Sequence, residues 1–221
     1  MSAPRFDAVV FDMDGLLIDS ERPIRDAWIE VTAQAGRPLT AEDYLGVIGT
    51  GIECARPHLQ ALLGEGLLYD DVRERVRLRL LERYGQTGYA PKPGARELLG
   101  WLQERGVPCG VASSTYLPEI ERRLGLVGFL PSLQAVAGGD EVEHPKPQPD
   151  VYLLAARRLG VDPARCLAFE DTETGSRAAM AAGMQVVVVP DLKPPGAALA
   201  PLMMLGSLAD VLAHLPGWFA R

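Results

Sequence analysis

Three short apolar runs in this sequence end abruptly in acidic or hydroxyl side chains. Val9-Val10-Phe11 gives way to Asp12-Met13-Asp14-Gly15, Val111-Ala112 to Ser113-Ser114-Thr115, and Leu167-Ala168-Phe169 to Glu170-Asp171. Asp12 and Asp14 stand two apart, so in extended backbone their side chains face the same way. Carboxylates that close repel unless a cation lies between them or one holds a proton. With Glu170 and Asp171 added, the donor set is all oxygen and suits a hard dication, Mg²⁺ rather than zinc. Gly15 lets the backbone leave the strand sharply. Lys146 lies in His144-Pro145-Lys146-Pro147-Gln148-Pro149-Asp150. Prolines on both sides restrict its backbone. Such a rigid setting suits an ammonium aimed as a point charge at a nucleophile and a phosphate oxygen.

Elements must bring these residues together. Phe6 to Phe11 reads as a buried strand. From about Pro23 to Tyr84 apolar residues recur at helical spacing (Ala27, Trp28 and Val31; Leu59, Leu62 and Leu63; Val72, Val76 and Leu80), with no convincing strand among them. Gly85 to Gly94, with Pro91 and Pro93, reads as a hinge. Beyond it strands and helices alternate. Helices are expected over 94–105, 117–124, 150–159 and 174–182, each closed by a glycine (Gly106, Gly125, Gly160, Gly183). Strands are expected over 107–112, 135–137, 166–169 and 184–189, and Asp150 is placed to cap its helix. The Ala, Pro and Leu mixture from Lys193 to Leu205 reads as an irregular surface loop. The alternation predicts an α/β core, a parallel sheet with helices on both faces, and a helical insertion after the first strand. That insertion would sit at the carboxyl edge of the sheet, where ligands bind.

Composition limits the function. The chain has 221 residues, 22 Lys plus Arg against 29 Asp plus Glu, and a net charge of −7. That balance argues against a broad nucleic-acid or anionic-membrane surface. No run approaches the roughly 18 apolar residues of a membrane span, and the N-terminus lacks a signal-peptide pattern. Cys54, Cys109 and Cys166 are far apart and form no Cys-x-x-Cys pair; a reducing cytoplasm is expected.

Taken together, the motifs resemble those of the haloacid dehalogenase superfamily. The run Phe11-Asp12-Met13-Asp14-Gly15-Leu16-Leu17-Ile18-Asp19-Ser20-Glu21 is similar to its first signature, Ser113 to its second and Lys146 to its third. Phe169-Glu170-Asp171-Thr172-Glu173-Thr174-Gly175 is similar to the fourth. The likeness spans nearly the whole chain and is strongest to the branch of β-phosphoglucomutases, sugar-phosphate phosphatases and pseudouridine-5′-phosphatase. It implies a doubly wound, Rossmann-like core over residues 1–20 and 88–221 and a helical cap over 21–87. It further implies that Asp12 attacks phosphorus and that Asp14 protonates the leaving oxygen and then activates water. Ser113, Ser114 and Lys146 would bind the phosphoryl group. Mg²⁺ would be held by Asp12, the Asp14 carbonyl and Asp171, with Glu170 as direct or indirect partner. Glu21, Thr50 and Gly51 are candidate substrate contacts.

The expected activity is a Mg²⁺-dependent phosphatase for a small phosphorylated metabolite, a sugar phosphate or nucleoside monophosphate, in a monomer or weak homodimer. A phosphomutase is the alternative. Mutases of this branch carry a histidine where Ile24 stands and a cation in the cap loop matching Ile48 to Ile52, and both are missing here. Pro145 replaces the glycine most common before the family's lysine. A receiver domain would share the aspartates, Mg²⁺ and lysine, but needs neither a helical insertion nor a proton donor at Asp14.

Overall fold

A computed structural model of the chain describes residues 5–48 and 52–219. It contains β1 (Ala8–Phe11), then four helices, α1 (Glu21–Gln34), α2 (Ala41–Leu45), α3 (Ile52–Leu63) and α4 (Tyr69–Tyr84). There follow α5 (Ala95–Glu104), β2 (Cys109–Ala112), α6 (Leu117–Leu126), β3 (Ala135–Ala137), α7 (Asp150–Leu159) and β4 (Cys166–Glu170). The described chain closes with α8 (Glu173–Ala181), β5 (Gln185–Val188), β6 (Met203–Met204), α9 (Leu208–Val211) and α10 (Leu215–Trp218).

The six strands form one sheet in the order β3-β2-β1-β4-β5-β6, every pair parallel. Crossover helices cover both faces, so the strands are apolar on both sides. Val9, Phe11, Val111, Leu167 and Phe169 pack with α5, α6, α9 and α10 through Leu98, Leu102, Ile120, Leu124, Val211 and Leu215. Ala8, Val10, Ala112, Cys166 and Ala168 face α7 and α8 through Val151, Tyr152, Ala155 and Ala178. Each large side chain fully buried there contributes about 1.5–3 kcal/mol. Cys109 and Cys166 are buried thiols within these layers.

Strand order reverses at β1 and β4, which is where open parallel sheets bind ligands. Register makes this switch point exact in height. Phe11 pairs with Phe169, their rings stack 5.3 Å apart, and the Asp12 amide donates to the Phe169 carbonyl at 2.9 Å. Asp12 and Glu170 therefore leave the sheet at the same level.

Helices α1 to α4 have an apolar cluster of their own, including Ala27, Trp28, Tyr44, Leu59, Leu63, Tyr69, Val72 and Val76. Trp28 stacks on Tyr69 at 5.7 Å, tying α1 to α4. The outgoing and returning chains run side by side as a neck. Ile18 bridges Pro91 in antiparallel fashion, the Asp19 amide donates to the Ala90 carbonyl, and the Lys92 amide to the Leu17 carbonyl. Asp191, just after β5, accepts from Arg22 on the outgoing side and Lys92 on the returning side.

Three expectations need correction. Residues 193–205 are not loop throughout, because Met203 and Met204 pair with Val187 and Val188 as a sixth strand. Two polypeptide residues give too short a pattern for periodicity to register. Asp150 does not cap α7: Pro149 holds the N-cap position without a side-chain bond, and Asp150 lies in the first turn near His144. Gly125 does not end α6, which continues to Leu126; Gly128 supplies the left-handed residue, at φ +75°.

Candidate active site

Lys146 joins the strand ends. Its backbone lies in the loop before α7, its side chain is only 6% exposed, and its ammonium donates to Asp12 Oδ1 at 2.6 Å and Glu170 Oε1 at 2.7 Å. Tyr152, in the first turn of α7, donates to the same Glu170 oxygen at 2.8 Å. The other oxygen, Glu170 Oε2, accepts from the Asp171 amide at 3.0 Å, the Thr172 amide at 3.1 Å and the Thr172 hydroxyl at 3.0 Å. Gly175 makes room for this arrangement, since a Cβ there would lie 1.6 Å from Glu170 Oε1.

Asp12, Glu170 and Asp171 each bring an oxygen within 4.8 Å of the others, all buried. One ammonium is too little positive charge for three carboxylates. Burial raises the Asp12 pKa, which Lys146 opposes and Glu170 adds to. Burial also pushes Asp171 well up, reinforced by repulsion from Glu170 and Asp12. Glu170 goes down instead, because Lys146 and the surrounding donors outweigh its burial. Asp171 Oδ1 is buried with no hydrogen-bond partner. An orphaned carboxylate oxygen in an over-acidic, all-oxygen cluster fits a hard divalent cation. Gly15 is tied to the same point. Its φ is +81°, and a Cβ would fall 2.3 Å from Asp171 Oδ2.

Asp14 is held apart from that cluster by three donors. Ser20 Oγ and Arg123 Nη1 reach its Oδ1 at 2.6 Å and 2.7 Å, and Thr115 Oγ1 reaches Oδ2 at 2.8 Å. Arg123 is steadied by Glu119 at 2.8 Å and lies over the Tyr89 ring. Burial would raise the Glu119 carboxyl, but hydrogen bonds from Arg122 and Arg123 hold it down to about 2. Ser113 is buried beside Ala137 on β3, and its Oγ accepts the Thr115 amide at 3.1 Å.

These groups open onto a cavity of about 490 Å³ between the sheet edge and the helical insertion. Asp12, Asp14, Ser113, Ser114, Lys146 and Asp171 line its floor, and Glu21, Ile24, Trp28, Ile48 and Arg73 belong to its upper wall. Glu21 forms no hydrogen bond or ion pair among the described residues. Its pKa rises to about 7 through burial, then through repulsion from Asp14 and Asp191, with Arg123 opposing. Thr50 and Gly51 lie outside the described residues. Glu170 does not line the cavity but sits behind Lys146. Sequence reasoning missed Tyr152, Thr115 and Arg123. Thr115 stands in the Ser-Ser-Thr run and was open to notice. Arg123 lies 109 residues from Asp14, with no local pattern linking them.

The model of the haloacid dehalogenase-like hydrolases matches residues 6–183. The chain belongs to that family. It is 37% identical over 194 residues to hexitol phosphatase B of Escherichia coli K12, covering 86% of each chain. Fructose-1-phosphate phosphatase YqaB of the same organism is 34% identical over 189 residues, 84% of this chain and 97% of that one. Among solved structures, a HAD family hydrolase from Deinococcus radiodurans R1, with bound phosphate and sodium, superposes with a TM-score of 0.79 at 30% identity over the full length of both chains. This haloacid dehalogenase-like hydrolase has no helix, among its described residues, long and apolar enough to cross a membrane.

Proposed function

We propose that the chain is a Mg²⁺-dependent phosphatase that hydrolyses a small phosphorylated metabolite, with a sugar phosphate as the favoured class, through an aspartyl-phosphate on Asp12. The observation that carries this reading is the Lys146 bridge from Asp12 to Glu170 beside the orphaned Asp171 oxygen. It leaves one Asp12 oxygen free of Lys146 and facing a cavity large enough for a metabolite. The two curated relatives named above, both sugar or sugar-alcohol phosphatases by name, support the substrate class.

In this account an Asp12 oxygen attacks phosphorus and the ester P–O bond breaks. Asp14 gives its proton to the departing oxygen, leaving an alcohol. Asp14 then takes a proton from water, whose oxygen attacks phosphorus, freeing phosphate and restoring the Asp12 carboxylate. Splitting hydrolysis in two lowers each barrier. Lys146, Ser113 and Ser114 hold the phosphoryl oxygens, and the ammonium offsets their charge. Asp12, Asp171 and the Asp14 carbonyl would hold Mg²⁺, which when bound supplies further charge for the same purpose. Glu170, with both oxygens engaged by donors, positions Lys146 and the Asp171–Thr172 turn. Residues 21–87 act as a cap on a core of 1–20 and 88–221, excluding bulk water from the aspartates.

The test is phosphate release from a panel of sugar, sugar-alcohol and nucleoside monophosphates, with and without Mg²⁺. Release that requires Mg²⁺ and vanishes in Asp12→Asn is expected. Isomerisation of glucose 1-phosphate to glucose 6-phosphate without free phosphate would overturn the reading in favour of a mutase.

A further inference from the structure

Charges on the cavity wall can be paired off one by one. Lys146 is matched by Asp12 and Glu170, Arg123 by Asp14 and Glu119, and Arg122 by Glu119. Arg77 forms a two-pronged pair with Glu74, both bonds 2.7 Å long. Arg73 is left over. It is half-buried, it lines the cavity from α4, and it makes no hydrogen bond or ion pair among the described residues. Its acidic neighbours on the helix are already taken: Asp70 binds Arg56 at 2.8 Å, and Glu74 binds Arg77.

Asp70 and Glu74 feel the Arg73 charge but neither bonds to it, so its guanidinium donors stay free for a ligand. Its planar fork suits carboxylate or phosphate oxygens. Around it the wall is apolar, with Val76 and Leu80 on the same helix and Trp28 and Tyr69 nearby in the cluster. Low polarity strengthens such a contact. The other unmatched charge on the wall is the carboxylate of Glu21, at the start of α1, close enough to Asp14 and Asp191 to feel both. A second anion would be repelled there and attracted at α4.

We infer that Arg73 is a specificity residue that reads a second anionic group, carboxylate or phosphate, at the end of the substrate away from the ester being cleaved. This rests on the phosphatase reading and narrows it to phosphorylated sugar acids or bisphosphates. The sequence places no cation in the stretch from Ile48 to Ile52, which matches the loop where mutases of this branch carry one. Helix α4 supplies one from another direction.

Two substrate pairs test the inference, each differing only in the distal group: sorbitol 6-phosphate against 6-phosphogluconate, and fructose 1-phosphate against fructose 1,6-bisphosphate. The carboxylate pair and the phosphate pair separate the two sources of anion. A charge-assisted contact predicts that kcat/KM favours the anionic member of at least one pair by about ten- to a hundredfold. The preference should sit in KM. In Arg73→Met the ratio should collapse to about one, and Arg73→Lys should restore part of it. An equal ratio in wild type and Arg73→Met, with p-nitrophenyl phosphate still hydrolysed, overturns this inference and leaves the phosphatase reading standing. Failure to hydrolyse any of the five esters overturns both.

Discussion

The floor and the upper wall of the cavity are built on opposite electrostatic plans. On the floor every cation has a carboxylate, and donors engage both oxygens of Asp14 and Glu170 and one of Asp12, while Asp171 Oδ1 is buried without one. On the wall, apolar side chains from α1, α2 and α4 surround one arginine and one glutamate that pair with nothing described. A buried network with this many hydrogen bonds is rigid and holds one geometry. Sparse charges on an apolar wall leave room for a ligand to complete them. The floor is thereby suited to a fixed reaction and the wall to a choice among substrates.

Disturbing the floor should affect every substrate alike. Asp12→Asn should keep the fold and cut turnover by at least about a thousandfold on all esters, since it removes a covalent nucleophile. Activity above about a hundredth of wild type on any ester would break the distinction. Chelation should follow closely in size. EDTA should abolish phosphate release and Mg²⁺ restore it, whereas Ca²⁺, with its looser coordination, should not. Full activity in metal-free buffer would show that the cluster of Asp12, Glu170 and Asp171 needs no cation.

A smaller effect should appear at α6, which links floor to wall. The Glu119 pKa is lowered in the folded protein, so its stabilising effect is present above the ordinary carboxylate range. That effect is lost as pH falls toward about 2. Glu119→Gln should therefore flatten the loss of stability between about pH 4.5 and 2 and lower stability modestly at neutral pH. Denaturant midpoints across that range would reveal it. Parallel acid curves for both proteins would mean that Glu119 does not anchor Arg123.

The same contrast explains what was legible in the sequence. The floor rests on residues at strand ends, where an apolar run stops at Asp12, Ser113 or Glu170, and a parallel sheet must gather such ends along one edge. The core strands β1 to β5 and the helices between them were readable for the same reason. Arg73 and Arg123 were not. Each lies in an arginine-rich helix, and which arginine faces inward depends on how α4 and α6 pack, not on local pattern. Strand β6 escaped because two residues carry no alternation, and it forms only through the edge that β5 offers.

The division of labour between Asp12 and Asp14 is the account's central claim, and Asp14→Asn isolates it. With p-nitrophenyl phosphate, whose leaving group needs no proton, the first step can proceed while the second lacks its base. Acid-quenched samples, digested and analysed by mass spectrometry, should show phosphate accumulating to near one per chain on the peptide bearing Asp12, with a nitrophenolate burst of the same size. No burst, or phosphate on any other residue, would contradict the assignment of Asp12 as nucleophile and Asp14 as the group that activates water.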